Sequence, residues 1–335
     1  MSERILVVGP SWVGDMVMSQ VLYKLVRKKW PDCEIDVLAP PAALPLVSRM
    51  REVNRGIRFD IAHGEFALGK RLAFGESLKS NQYTRSITLP NSLKSAIVPF
   101  AADIPIRTGF RGEYRYFLIN DMRLMSKRRL PRMIDRFAAL GLKMGQQADD
   151  LPYPELMSDP ANLADLLVSL DLQIDQPVLG ICPGAEFGDS KKWPGAHYAA
   201  LAKRAVSAGY QVWIFGGKND EITGSEIQAM GGAGCVNLAG KTSLLDAIDL
   251  LSACDQVVSN DSGLMHIAAA VGVHTTVVYG STSPEFTPPL TDALDIVSLE
   301  LDCSPCFKRS CPLKHKNCLN QLQPELITLK SKASR

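Results

Sequence analysis

The 335-residue chain has no long apolar run. Nothing in it approaches the ~18 to 20 consecutive apolar residues that cross a bilayer. The nearest stretch, "IAAAVGVHTTVVYG", is too short and carries His274. The opening "MSERILVVG" lacks a basic lead, an apolar core and a cleavage site, so no secretory signal is expected and a soluble, cytoplasmic protein is. Net charge is scarce too, +2 overall. The one basic stretch has no interleaved aromatics beyond Tyr114, Tyr116 and Phe117, which argues against a nucleic-acid partner.

What is present is ordinary in amount and uneven in placement. Hydrophobic residues make up 46% and charged residues 21%, the balance of a globular chain long enough for two domains. From Arg85 to Lys143, twelve Lys/Arg face four acids, while the remainder of the chain is net negative. Such a block suits an anionic partner or surface. For Lys127 to Arg136 a solvated helix face is an equal alternative.

Short β-branched runs recur at Ile5–Val8, Ile35–Leu38, Arg85–Leu89, Val178–Cys182, Gln211–Phe215, Gln256–Ser259 and Thr275–Tyr279, with helical patterns between them. Buried strands alternating with helices indicate parallel sheets covered on both faces. Near residue 178 the opening pattern of strand, glycine turn and helix begins again, after a proline- and acid-rich stretch, "DDLPYPELMSDPANL", that suits a linker. The expected fold class is α/β: two Rossmann-like domains, 1–160 and 161–335, facing each other across a cleft. In such sheets ligands bind beyond the carboxyl ends of the strands.

Three turns there carry chemistry. In "CPGAEFGDSKKWP" a proline and Gly184 break the strand and Lys191 and Lys192 follow, which suits a diphosphate. In "SNDSGLMHIAAA", Asp261 or Ser262 can cap a helix that begins near Gly263, with His266 one turn on. A helix start with a lysine turn in the same domain makes an anion site. The opening turn, "GPSWVGDMVMSQ", places Asp15 where a phosphate would want no negative charge. A carboxylate at a helix start stays ionised and, facing a cleft, can take a proton from an acceptor hydroxyl. Capping of a helix Met16–Lys29 is compatible with that role.

These turns, with "LPNSLKSAIVPF" and "GSTSPEFTPPL", resemble the ADP-heptose:lipopolysaccharide heptosyltransferases of glycosyltransferase family 9. The likeness runs to about Leu290, and the N-terminal motifs favour the members that add the second heptose. The resemblance implies a GT-B fold and inverting transfer of L-glycero-D-manno-heptose from ADP-heptose to the first heptose of the lipopolysaccharide inner core. The N-terminal domain would bind the acceptor and the C-terminal domain the donor. It further implies Asp15 as general base and Lys192 on the donor diphosphate, the two catalytic groups. Gly184 and Ala185 would lie at the diphosphate turn, Ser262 and Gly263 would hold phosphate, and Asp261 would reach sugar hydroxyls, with His266 beyond. Asp220 would meet the ribose, with Glu221 as the lesser partner, and the backbone near Thr242 the adenine. Where sister enzymes carry hydroxyl residues, this chain has Ala185 and Glu186, so backbone amides and Lys192 must hold the donor.

On the acceptor side the resemblance points to Gly14, Asn91, Lys94, Arg107 and Arg111, with Arg115 in the same basic cluster, for the anionic groups of a lipid A-linked core. No acid-rich cage stands near the turns, so no metal or cofactor is expected, ADP-heptose being a substrate. A monomer acting at the inner face of the inner membrane, in a Gram-negative cytoplasm, completes the implied picture. A sister heptosyltransferase acting on an adjacent core sugar, and a nucleotide-sugar epimerase of the same two-domain fold, are the alternatives.

Four of the eight cysteines, Cys303, Cys306, Cys311 and Cys318, crowd into sixteen residues with His315 among them. That spacing fits a structural zinc, or free thiols in a compact loop. A reducing compartment argues against disulfides.

Overall fold

A computed structural model describes residues 2–61, 64–146 and 150–331. The chain divides into two compact units, Met1–Pro154 and Glu155–Arg335. Asp149, in the expected linker, lies outside the described residues.

In the first unit, β1 (Arg4–Val8), α1 (Val13–Lys29), β2 (Glu34–Ala39), α2 (Leu44–Val47), β3 (Arg55–Arg58), α3 (Leu68–Ser77), β4 (Arg85–Thr88), α4 (Ile97–Ala101), β5 (Ile106–Phe110), β6 (Asp121–Arg123) and α5 (Met133–Gly141) follow in order. The strands form one six-stranded sheet in the order β3-β2-β1-β4-β5-β6, and each observed pairing is parallel. Central β1 reads RILVV, and from Ile5 onward every residue is buried, as a strand covered on both faces requires. Helix α1 carries Asp15 in its first turn and Arg27, Lys28 and Lys29 in its last, each end matched to the helix dipole. Trp30 then precedes Pro31, where a helix cannot continue.

The second unit begins with the segment from Glu155 and runs through α6 (Pro160–Ser169), β7 (Val178–Cys182), α7 (Gly195–Ser207), β8 (Gln211–Ile214), α8 (Glu221–Gly231), β9 (Cys235–Asn237), α9 (Leu244–Ala253), β10 (Gln256–Asn260), α10 (Gly263–Ala270), β11 (His274–Tyr279), β12 (Leu294–Ser298) and α11 (Asn317–Asn320). Its sheet order is β12-β11-β10-β7-β8-β9, again six strands and parallel throughout. Counted from its own first strand, this is the order of the first sheet, and both match a Rossmann sheet. Asp159 caps α6 through Ala161 N and Asn162 N. The Asp159 amide and the Asn162 side chain both donate to Asp249 on α9, at 2.7 and 2.8 Å, tying the lead-in to this unit.

No helix among the described residues is long and apolar enough to cross a membrane.

Candidate functional site

Strand order decides where chemistry can gather. In each sheet the chain reverses direction of growth beside its first strand, opening a crevice between the loops that leave the carboxyl ends of strands one and four. In the second unit these are the loops after β7 and after β10.

The loop after β7 passes Pro183 and Gly184, makes a 3-10 turn at Asp189–Lys191 and reaches Trp193. A Cβ on Gly184 would stand 2.4 Å from Asp220 Oδ2, so any side chain there would have to displace the Asp220 carboxylate. Asp220, at the start of α8, accepts from Gly217 N at 3.0 Å and lies 3.8 Å from Lys192 Nζ. Lys191, the other lysine, goes elsewhere. Its Nζ donates to Asp261 Oδ2 at 2.6 Å, with only 14% of the Lys191 side chain exposed against 38% of Lys192. Thr282 Oγ1 donates to the same Asp261 oxygen at 2.6 Å.

Asp261 directly precedes Ser262, the cap residue of α10, and Ser262 makes no side-chain capping bond. Its hydroxyl lies 3.3 Å from Ser259 Oγ instead. The first-turn amides of α10 therefore receive no capping bond from the Ser262 side chain. His266 stands one turn further, buried, and burial lowers its imidazole pKa to about 4, Asp261 opposing the shift and Lys191 adding to it. It is neutral at physiological pH and adds no charge to an anion site.

Asn260 joins the two loops. Its buried Oδ1 accepts from Trp193 N and from Tyr198 OH, both at 3.0 Å, and its Nδ2 donates to Pro183 O at 2.7 Å. Three of its four side-chain hydrogen-bonding positions are thus used to hold the lysine turn and α7 against β10. Sequence reasoning passed over Asn260, though it opens the quoted "NDSG", because an asparagine ending a strand gives no sign of what it fastens. On the far side, Glu221 packs against Gly240, whose φ of +73° suits glycine. Thr242 follows, just before the Ser243–Asp246 capping box of α9. Gly184, Ala185, Lys192, Asp220, Thr242, Asp261, Ser262, Gly263 and His266 thus all belong to the loops, or the first helical turn, beyond the ends of β7, β8, β9 and β10.

In the first unit, β1, β4 and β5 are neighbours. The segments that leave their carboxyl ends carry Gly14 and Asp15, then Asn91 and Lys94, then Arg111. Helix α1 begins at Val13, so Asp15 lies inside its first turn and is not the cap residue, which is Trp12. Two members of the expected basic cluster are engaged within the fold. Arg115 is 1% exposed and donates to Pro90 O, Ser92 O, Ser95 Oγ, Asn91 Oδ1 and Phe110 O. Burial lowers its pKa to about 10, against the opposing pull of Glu113. Arg107 donates through Nε to Leu118 O and through Nη1 to Ile104 O and lies over the Phe100 ring. Both brace the chain; Arg111 is exposed, and Lys94 Nζ lies 3.4 Å from Glu65 O.

All eight cysteines are free thiols. Among the described residues no group of three or more His, Cys, Asp or Glu side chains is arranged to hold a metal ion. Cys303, Cys306, Cys311 and Cys318 nonetheless line one small pocket, together with Ser190 and Ser281.

Two Rossmann-like units in one chain, one with a carboxylate in the first turn of a helix and the other with lysines beside a helix start, have the make-up of a GT-B glycosyltransferase. The chain belongs to glycosyltransferase family 9 (heptosyltransferase), whose sequence profile matches residues 71–317. It is 48% identical over 308 residues to lipooligosaccharide heptosyltransferase 2 of Haemophilus influenzae, covering 88% of each chain. To lipopolysaccharide heptosyltransferase 2 of Escherichia coli it is 46% identical over 306 residues, again 88% of each. The solved E. coli ADP-heptose LPS heptosyltransferase II superposes with a TM-score of 0.86 at 41% identity, over 96% of this chain and 95% of that one.

Proposed function

We propose that the enzyme transfers L-glycero-D-manno-heptose from ADP-heptose to the first heptose of the lipopolysaccharide inner core, with inversion, as a monomer. The observation that carries the donor half is the meeting of half-buried Lys191 and Thr282 on buried Asp261 beside the start of α10, which Ser262 leaves without a side-chain cap. Cleavage of the anomeric bond leaves negative charge on ADP. Lys191, Lys192 and the α10 amides meet that charge as it develops, stabilising the transition state more than the bound donor. Asp261, freed from Lys191 by the incoming diphosphate, is then placed to accept from sugar hydroxyls. Asp220 or Glu221 serves the ribose, and the backbone near Thr242 the adenine. With two lysines and a helix start in this role, the reaction needs no metal ion, and turnover should persist in EDTA.

On the acceptor side, Asp15 takes the proton of the attacking hydroxyl, which requires it to face the donor's anomeric carbon in the ternary complex. Gly14, Asn91, Lys94 and Arg111 contact the anionic core. The acceptor is lipid-linked, so the enzyme works at an anionic membrane surface. Tyr114 and Phe117, 89% and 88% exposed, project from the segment that Arg115 pins, next to exposed Arg111. Leu124 and Met125, also exposed, precede Lys127, Arg128 and Arg129. Aromatic and basic side chains together suit a headgroup layer.

Release of ADP from ADP-heptose tests the reading. A core carrying one heptose should support it and a heptose-free core should not. Preference for the heptose-free core would indicate a sister enzyme, and release of free sugar without acceptor another reaction altogether. Asp15→Asn should keep donor binding while lowering turnover about 10²- to 10⁴-fold, as loss of a general base does; near-normal turnover removes Asp15 from the chemistry.

A further inference from the structure

The cysteine-bearing segment plays no part in the reading above, yet it lies against the turn that carries the lysines. Ser190, at the centre of that turn, is 3% exposed. Its amide donates to Arg309 O at 3.2 Å, its hydroxyl donates to Lys308 O, and it accepts from Ser281 Oγ at 3.0 Å. Gly188 approaches the same segment so closely that a Cβ there would lie 2.3 Å from Arg309 O. Asp189 pairs with Lys316 at 3.0 Å. The Phe187 ring has Lys191 at 5.0 Å and Arg309 at 5.5 Å.

The segment also grips the turn that supplies Thr282. Phe307 N donates to Ser281 O at 2.7 Å, Ser304 Oγ to Gly280 O at 2.5 Å, and Leu319 packs where a Cβ on Gly280 would fall, 2.6 Å away. The two turns so held are those whose tips, Lys191 and Thr282, converge on one oxygen of Asp261.

We propose that segment 303–319 is the positioning element of the donor site and that Ser190 is the positioning residue through which it acts. A short turn between a strand and a helix has no ladder of its own to fix it. Asn260 fastens its two ends at Pro183 and Trp193, the bonds to its middle at Ser190 come from the tail, and a lysine held in place binds a diphosphate without first losing that freedom. The thiols of Cys303, Cys306, Cys311 and Cys318 surround the pocket behind Ser190 and Ser281, so the tail folds into a compact knot at the point of contact. The inference rests on the donor reading and extends it to residues that touch no substrate.

Full-length Ser190→Ala, Lys316→Ala and Lys316→Arg are to be compared with wild type in three measurements: ADP affinity by calorimetry, KM for each substrate, and thermal unfolding. Ser190→Ala leaves Lys308 O without its donor, and ADP binding and donor KM should both worsen on the order of tenfold. Acceptor KM should stay within about twofold and unfolding should remain cooperative. Lys316→Ala, at the surface, should show a smaller loss of the same kind, restored by Lys316→Arg; this pair decides the matter should Ser190→Ala fail to fold. Wild-type protein that binds ADP while folded variants bind it equally well overturns this proposal alone. So does damage to donor and acceptor kinetics in equal measure, which marks a merely structural segment. Wild-type protein that does not bind ADP overturns the donor reading and this inference together.

Discussion

Lys191 and Lys192 are adjacent in the chain and differ in every physical respect once folded. The 3-10 turn ending at Lys191 sends that side chain inward to Asp261, while Lys192 turns toward Asp220 and solvent. A buried charge acts through a lower effective dielectric than an exposed one. Lys191→Ala should therefore weaken ADP binding by about ten- to a hundredfold and Lys192→Ala by less; calorimetry showing the reverse order would return the diphosphate to Lys192. The sequence made both lysines visible and could not rank them, since a one-residue rotation of a short turn leaves no periodic trace. His266 was legible as a histidine one turn into α10, and its state follows from burial. Its native pKa of about 4 lies below the ordinary 6.5. Between those values the unfolded chain takes up a proton that the native chain refuses. Its contribution to stability is thus full above pH 6.5 and falls as pH drops toward 4, by about 3 kcal/mol in all. Denaturant unfolding across that range should show the loss in wild type and a flatter profile in His266→Gln.

At the scale of elements, seven strands were readable and five were not. The readable ones are the central, apolar runs. Of the others, β3, β6, β9 and β12 are the four sheet edges. They are short, and β3 (RGIR) and β6 (DMR) are half-charged, so they lack the continuous apolar run that announces a strand buried on both faces. The fifth, β5, begins with an exposed isoleucine and carries Arg107 and Gly109. The basic segment was legible only as a run of charge, for a related reason. Charge was counted along the chain, whereas the fold separates Arg115, which fastens the β5–β6 connection from within, from Arg111, which leaves the same strand outward. Arg115→Ala should destabilise the first unit by about 3 kcal/mol or more, since it strands several buried carbonyls. Arg111→Glu should leave the unfolding midpoint nearly unchanged and raise acceptor KM while sparing donor KM. Equal effects on both substrates would remove Arg111 from the acceptor site.

For the molecule as a whole, near-neutral net charge conceals a polarity along the chain, with the basic block confined to the first unit. Each Lys or Arg near an anionic bilayer is worth about 1 kcal/mol, and exposed aromatics add a hold that salt does not screen. Wild-type protein should co-sediment with phosphatidylglycerol vesicles and not with phosphatidylcholine vesicles, more weakly as salt rises. Tyr114→Ser with Phe117→Ser should lower what remains bound at high salt. Indifference to lipid charge would leave the block as a solubility feature.

Both sheets have the same strand order, and each places its candidate site residues in the segments beyond the carboxyl ends of its strands. One copy of the plan ends in a carboxylate and the other in lysines beside a helix start. Nothing in the sheets themselves sets which sign of charge a unit displays. A lineage built on this plan can therefore invert the electrostatic character of a unit by rewriting a few loop residues, leaving the hydrophobic core under separate constraint. Innovation and folding stability are inherited on different parts of the chain.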